Sequence, residues 1–539
     1  MFFSVTAERF PELRVKQVVM LEKIYCAKCI GIDAVPVTVE VDIRGGVGIH
    51  LVGLADTTVK ESLLRIVTAL QALGYHIPGK KIVINLAPAD LRKSGSGYDL
   101  PIALGIIAAS EQRPLPQLGE YVIMGELGLN GEVREITGAL AYAEMAVQEG
   151  FKGCILPLRS ALEAVEYREI AVYGVRTLDD AVRVLGGQED CDGLLVRHSA
   201  EFRESQDRPL PAADASVLDF SEIVGQESAK RGIEIAAAGG HNLILVGSPG
   251  SGKSSLAKAM GSILPPMTPE EAVRTSKIYS IAGSMPPGTG LLRQRPFRSP
   301  HYSATLASIV GGGSGDSTRP GEVTLAHNGI LFLDEMAQMP RSVVEALRGP
   351  LEDRKVEISR LRTKVVYPCS FMLVAASNPC PCGYWGEGDR CRCTPTQRQA
   401  YMSRLSGPIM DRIDLQIFCR QVDSRLMNSR RPAEPSAQVA ARVRAARRLQ
   451  QDRLAGESAN TNAEMTNKML EKYCPLSEEC QATMESVINR LGLSMRSYFR
   501  VIKVARTIAD LAGGRPIVPA DLLEAAGYRF LDRRDLFDY

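Results

Sequence analysis

Residues 247 to 254 read Gly247-Ser248-Pro249-Gly250-Ser251-Gly252-Lys253-Ser254, directly after the apolar run Leu243-Ile244-Leu245-Val246. This is the G-x-x-x-x-G-K-[ST] phosphate loop in its informative setting, with a buried strand before it. Ser255-Leu-Ala-Lys-Ala-Met260 continues it as a helix. Glycines let backbone N–H groups turn inward around phosphates, and the helix presents its positive N-terminal end to them. The loop from Gly247 through Ser255 is expected to cradle ATP. Lys253 would reach the β- and γ-phosphates, and the Ser254 hydroxyl would help hold Mg²⁺.

Downstream, Gly329-Ile-Leu-Phe-Leu-Asp-Glu335 is an apolar strand ending in two carboxylates. Asp334 is expected against Mg²⁺, and Glu335 is expected to polarise the attacking water. A further strand, Phe371-Met-Leu-Val-Ala-Ala-Ser-Asn378, would deliver Asn378 to the same sheet edge. Its amide can orient the lytic water, or it can cap a strand-end turn, since Asn-Pro favours turns. This order of elements resembles the AAA+ ATPases, in which that amide is the sensor-1 residue. Ser406-Gly-Pro-Ile-Met-Asp-Arg-Ile-Asp414 resembles the arginine-finger segment of ring helicases. The resemblance implies that Arg412 acts on a neighbouring subunit's γ-phosphate; a plain surface Arg–Asp pair is the alternative. Leu493-Ser-Met-Arg-Ser497 opens a helix, where Arg496 resembles the sensor-2 arginine of an AAA+ lid.

Two insertions specify the type further. A long segment separates the phosphate loop from the Asp-Glu strand and includes Arg293 to Tyr302 and Gly311-Gly-Gly313. Before the Asn378 strand, Lys355 to Tyr367 alternates as a hairpin does, with Arg360 and Arg362 at its turn and Lys364 just after. An AAA+ core with a helix-2 insert and a pre-sensor-1 hairpin resembles the branch holding replicative helicases and magnesium chelatases. In ring helicases both elements project into the pore. Arg360, Arg362 and Lys364 would then contact nucleic-acid phosphates, giving salt-sensitive, sequence-independent binding. An ordinary solvated basic turn is the other reading.

Cys380-Pro-Cys382 and Cys391-Arg-Cys393 place four thiols within a short, glycine-containing stretch. Four thiolates so close can converge tetrahedrally on Zn²⁺, although C-x-C is tighter than the usual C-x₂-C knuckle. Free thiols and a redox pair remain the alternatives. Cys26-Ala-Lys-Cys29 lacks thioredoxin surroundings and reads as core or surface thiols.

At 539 residues the chain is too long for one core. Hydrophobic content of 45%, charged content of 23% and a net charge of +2 fit a globular chain without a broad basic face. No apolar run is long enough for a membrane helix and none resembles a signal peptide. Twelve cysteines without such a signal suggest a reducing, cytoplasmic setting. The expected organisation is an N-terminal extension over 1–19, an α/β domain over 20–187, a linker over 188–215, an ATPase core over 216–422 and a helical C-terminal domain over 436–539. In the first domain, Val37 to Asp42 and Lys81 to Leu86 read as strands, and Thr57 to Leu73 and Leu100 to Ala109 as helices.

Several segments carry a more specific resemblance. Gly31-Ile-Asp-Ala-Val-Pro-Val-Thr-Val-Glu-Val-Asp42, Asn85-Leu-Ala-Pro-Ala-Asp-Leu-Arg-Lys93, Arg295-Pro-Phe-Arg-Ser-Pro-His301 and Asn378-Pro-Cys-Pro-Cys-Gly383 are among them. They resemble the YifB/ComM family of magnesium-chelatase-like AAA+ proteins across nearly the whole chain after Met20. Tyr302 stands where that family commonly has a second His. The resemblance implies a multidomain α/β protein. Its first domain would be Lon-protease-like, with the ribosomal-protein-S5-type fold, followed by the AAA+ core and a C-terminal helical lid.

Lon cleaves peptides with a Ser–Lys dyad. Near the nucleophile position this chain reads Gly97-Tyr98-Asp99, and at the lysine position Gly138-Ala-Leu-Ala141. A non-proteolytic collar is therefore expected, as in the branch-migration protein RadA. The family implies a hexameric ATP-driven motor on single-stranded or branched DNA, working in branch migration or unwinding. A magnesium-chelatase-like metal-insertion or remodelling ATPase is the alternative.

Overall fold

The computed structural model describes residues 21–207, 218–286, 288, 290–313, 318–359, 364–405, 407–421 and 434–532. The extension expected over 1–19 lies outside them, as do residues 423–433 between the expected core and the expected helical C-terminal domain. Two compact units divide between Arg203 and Glu204, with Ile30–Ile32 assigned to the second.

The first unit is built on a mixed seven-stranded sheet. Its strands follow the order Gly48–Val52, Lys81–Ala87, Asp33–Arg44, Leu21–Ile30, Tyr121–Ile123, Gly153–Pro157, Ala171–Val175. Alternation sets the register, because side chains two apart share a face. Val39 and Val41 stand opposite Leu86 and Ile84, and all four are fully buried. The helix Thr57–Ala72 starts where the Asp56 carboxylate accepts from the Val59 amide at 2.9 Å. The helix Asp99–Ala109 is apolar nearly all round, as a helix enclosed on every side must be. A methyl group at Gly105 would lie 2.6 Å from Val41 Cγ2, so only glycine permits this helix–sheet approach.

The expected linker begins too early. Glu189–Leu194 and Val196–His198 are 3-10 turns, and Cys191 and Val196 are buried in the first unit's core. A few apolar residues inside a polar stretch hold this segment onto the domain.

At the positions compared with the Lon dyad, Tyr98 is buried and its hydroxyl donates to the Ala27 carbonyl at 3.2 Å. Asp99 is fully buried and paired to Arg65 at 3.0 Å. Burial pushes the Asp99 carboxyl up to about 6, against the pull of Arg65 and the Leu127 amide. Ser96 donates to Glu126, and Ala139 to Ala141 are buried in a helix.

The second unit holds an all-parallel five-stranded sheet. Its order is Phe297–Arg298, Ile330–Leu333, Met372–Ser377, Leu243–Gly247, Leu415–Cys419. The phosphate-loop strand lies between two parallel neighbours with its core residues 243 to 246 fully buried, which explains its continuous apolar run. Asn378 follows directly on the neighbouring strand Met372–Ser377, and Asp334 on the strand beyond it, Ile330–Leu333, toward the same edge.

The C-terminal region is helical, with helices Ser436–Arg453, Asn467–Tyr473, Glu478–Leu491, Met495–Leu511 and Pro519–Gly527. It is pinned to the sheet through His241. Nδ1 of His241 lies 3.0 Å from the Asp414 carboxylate and Nε2 lies 2.8 Å from Thr507 Oγ1. Arg500 also pairs with Asp414 and holds that carboxyl far below the usual range despite its burial. Among the described residues no helix is long and apolar enough to cross a membrane.

Candidate nucleotide site

The phosphate loop turns between its strand and the helix Lys253–Ile263, with Gly250 and Gly252 both in left-handed backbone conformations. Gly247 is irreplaceable for another reason. A Cβ there would lie 2.2 Å from the Cys419 carbonyl oxygen. The Ser251 hydroxyl is buried and makes no hydrogen bond, so the loop carries an unsatisfied polar group. Lys253 donates to the carbonyls of Gly247 and Ser248 at 2.8 and 3.0 Å and to Asn378 Oδ1 at 3.3 Å. Burial lowers its pKa, opposed by Cys419, Asp334 and Glu335.

Ser254 Oγ donates to Asp334 Oδ2 at 2.8 Å. Two ligands at right angles on octahedral Mg²⁺ stand about 2.9 Å apart, so this oxygen pair fits that ion as it stands. The other Asp334 oxygen accepts from the Glu335 amide at 2.9 Å. Glu335 itself sits at φ 50°, a left-handed position that costs a non-glycine residue strain and occurs preferentially at functional sites. The structure thus brings Lys253, Ser254, Asp334, Glu335 and Asn378 to one end of the sheet.

Arg412 is elsewhere. Its carbonyl accepts from the Asn242 side chain at 3.0 Å, at the opposite end of the phosphate-loop strand. Its guanidinium donates to the Pro408 carbonyl at 2.7 Å and pairs with Glu352, leaving the residue only 8% exposed. Nε of Arg412 is buried without a partner. Glu352 is held below the usual carboxylate range by Arg412 first, with Arg496 and Arg348 adding to it. Arg496 lies in the first turn of the helix Met495–Leu511, largely exposed, 3.8 Å from Asp411. In place of the Arg–Asp surface pair weighed for Arg412, a buried guanidinium meets an exposed acid sixty positions away.

The hairpin Lys355–Ser359 with Lys364–Pro368 has the expected alternation. Val356, Ile358, Val365 and Tyr367 are buried, and Lys355, Glu357 and Lys364 are exposed. Lys364 pairs with Glu357 at 2.9 Å. Arg360 and Arg362 lie outside the described residues. The four clustered cysteines converge, with their sulfurs all within 4.8 Å of one another.

Two partners of the phosphate loop were not evident in the sequence. Gln226 Nε2 donates to the Ser251 carbonyl at 2.9 Å and to the Arg420 carbonyl at 2.6 Å. Glu387, inside the cysteine loop, accepts from the Ser248 hydroxyl at 3.0 Å. A Gly-Gln pair just before a helix was the available signal for the first; for the second it was a lone acid between the C-x-C pairs.

Comparison with known proteins agrees along most of the chain. Residues 219–427 match the family described as magnesium chelatase, subunit ChlI, residues 39–160 match subunit ChlI of Mg-chelatase, and residues 433–529 match the ChlI C-terminal family. The chain is similar to the uncharacterized protein YifB of Escherichia coli, 41% identical over 524 residues, covering 95% of this chain and 98% of YifB. It is similar to the competence protein ComM of Haemophilus influenzae, 40% identical over 514 residues, covering 95% and 97%. Two partial likenesses are shorter. An archaeal Lon protease of Methanocaldococcus jannaschii is 29% identical over 147 residues, covering 27% of this chain and 22% of the protease. The DNA repair protein RadA of Haemophilus influenzae is 32% identical over 116 residues, covering 21% and 24%. With near-complete coverage at this identity, the chain belongs to the YifB/ComM family of magnesium-chelatase-like proteins.

Proposed function

We propose that the protein is a cytoplasmic ATPase that assembles as a hexameric ring and drives DNA branch migration or unwinding during recombination of incoming DNA. The observation that carries this is the separation of Lys253, Asp334, Glu335 and Asn378 from Arg412 and Arg496, on opposite ends of one sheet. A nucleotide bound at the first end needs another copy's arginines to complete its site, and a ring supplies them at every junction.

Ser254 and Asp334 would hold Mg²⁺, which neutralises phosphate charge when bound. Lys253 exchanges its two carbonyl partners for phosphate oxygens. Glu335 accepts the proton of the attacking water, and Asn378 orients that water. Arg412 exchanges Glu352 for the neighbour's γ-phosphate and stabilises the charge developing there. The DNA part rests on the hairpin ending in Arg360, Arg362 and Lys364, and on the names of two relatives, a competence protein and a DNA repair protein. The apolar and buried groups at the dyad positions favour a collar over a protease.

A metal-insertion or protein-remodelling ATPase is the second reading, favoured by the magnesium-chelatase family matched over 219–427. ATP hydrolysis measured with and without single-stranded and branched DNA across a salt series separates the two. Stimulation by DNA that fades as salt rises is expected. Absence of stimulation at low salt overturns the DNA motor and leaves the remodelling reading.

A further inference from the structure

We propose that Cys380, Cys382, Cys391 and Cys393 bind one zinc ion, and that this ion fastens a loop that walls the phosphate loop. The argument starts from sulfur spacing. Cys380 Sγ is 3.4 Å from Cys382 Sγ and 3.8 Å from Cys391 Sγ, and Cys382 Sγ is 3.7 Å from Cys391 Sγ. Tetrahedral zinc with Zn–S bonds of about 2.3 Å sets its four sulfurs about 3.8 Å apart. All four side chains are free thiols, and the distances are far beyond a disulfide bond.

The backbone is arranged for thiolates. Amides of Gly383 and Trp385 lie near the Cys380 sulfur, those of Tyr384 and Arg392 near the Cys382 sulfur, and that of Cys382 near the Cys393 sulfur. Amide dipoles so placed help disperse the negative charge that metal-bound thiolates carry. Gly383 makes the return possible with φ 84°, where a side chain would be strained.

The loop has almost no regular structure of its own. From Cys380 to Cys393 its only regular structure among the described residues is the short turn Gly388–Arg390. Yet it touches the nucleotide site at three points. Glu387 accepts from the Ser248 hydroxyl and from the Gln421 amide, each at 3.0 Å. Gly383 faces Pro249 so closely that a Cβ would lie 2.8 Å from the proline ring. Asn378, two positions before Cys380, bonds Lys253. A metal that joins both ends of the loop removes much of the conformational freedom that would pull these contacts apart. The effect on nucleotide rests on the ATP reading above, whereas the metal site does not.

Full-length untagged protein, purified under reducing conditions without chelator, is analysed for metal content. About one zinc per chain is expected. Protein free of zinc that also fails to take up added Zn²⁺ overturns the site. Replacement by Co²⁺ should give the visible bands of tetrahedral cobalt thiolate, and octahedral bands would overturn the ligand set. C391S/C393S should lose the metal, and retention by that folded variant overturns the assignment. Should the variant fail to fold, a mercurial titration of the native wild type replaces it, with zinc released as these thiols react; release uncoupled from thiol reaction counts against the site.

A fluorescent ATP analogue then tests the clamp. Metal-stripped protein and Glu387→Gln with its zinc retained should each bind it about tenfold more weakly, the worth of one charged hydrogen bond. Unchanged affinity in both overturns the clamp while the zinc site stands. If holo protein binds no nucleotide, the ATP reading and the clamp fall together, and metal content still decides the site.

Discussion

The two ends of the strand Leu243–Gly247 make opposite demands on the molecule. At its C-terminal end, Lys253, Ser254, Asp334 and Asn378 already touch one another. At its N-terminal end, Asn242 holds the backbone of Arg412 and Asp414, while Arg412 is occupied by Glu352. Five strand residues span about 16 Å, so Arg412 does not reach its own chain's phosphate loop. The first end gathers its groups within one chain, whereas the second, under the proposed function, serves the site of a neighbouring chain.

The comparison breaks most decisively at Glu335. Glu335→Gln should lower ATP turnover about 10²- to 10⁴-fold, as loss of a general base does, while nucleotide binding stays near wild type. Phosphate release and binding of a fluorescent analogue measure the two separately. Turnover left intact would remove Glu335 from the chemistry.

Mixing experiments address the far end. Arg412→Ala should inactivate by about 10³-fold, in the range for an arginine supplied by a neighbour. Mixed with Glu335→Gln chains, it should regain activity. Junctions then form in which one chain gives Glu335 and the other Arg412. Mixtures no better than the sum of their parts would show that each site is built by one chain. Glu352→Ala should change turnover by less than either, because it removes only the resting partner of Arg412.

The smallest effect is a pH dependence at the same far end. His327 precedes the strand Ile330–Leu333, and its Nδ1 accepts from the Ser370 amide at 2.9 Å. Burial, aided by Arg274, lowers its pKa from 6.5 to about 4. Below pH 6.5 the unfolded chain takes up a proton that the folded chain refuses until about pH 4. Stability is therefore lost as the pH falls through that window, by about 2 kcal/mol at pH 5. His327→Gln should shrink the difference in melting temperature between pH 7 and pH 5. An unchanged difference would place the acid sensitivity in other groups, such as His241, whose pKa burial also lowers from 6.5.

Legibility in the sequence follows the range of the interactions. The phosphate loop, the Asp-Glu strand and the hairpin are local patterns, and the residues that bear them fold where the pattern says. Four cysteines in a short span could meet whatever the rest of the chain does, so their convergence was visible in the spacing. The burial of Arg412 was not. Nor was its partner Glu352, an acid on a separate helix whose side chain reads as ordinary surface charge. Glu387 and Gln226 escaped notice because their partners are backbone and hydroxyl groups of the phosphate loop, distant in sequence. The stretch 188–198 looks like linker because Cys191 and Val196 are too few to give a period.

The loop that carries the cysteines also carries Trp385, the single tryptophan of the 539-residue chain. Its ring meets Phe418 edge-on at 6.3 Å, on the strand beside the phosphate-loop strand. Indole emission from this protein therefore originates at one point, in the loop that walls the phosphate loop. The molecule carries a built-in optical label, and its colour and intensity during turnover report on that wall alone, without any dye.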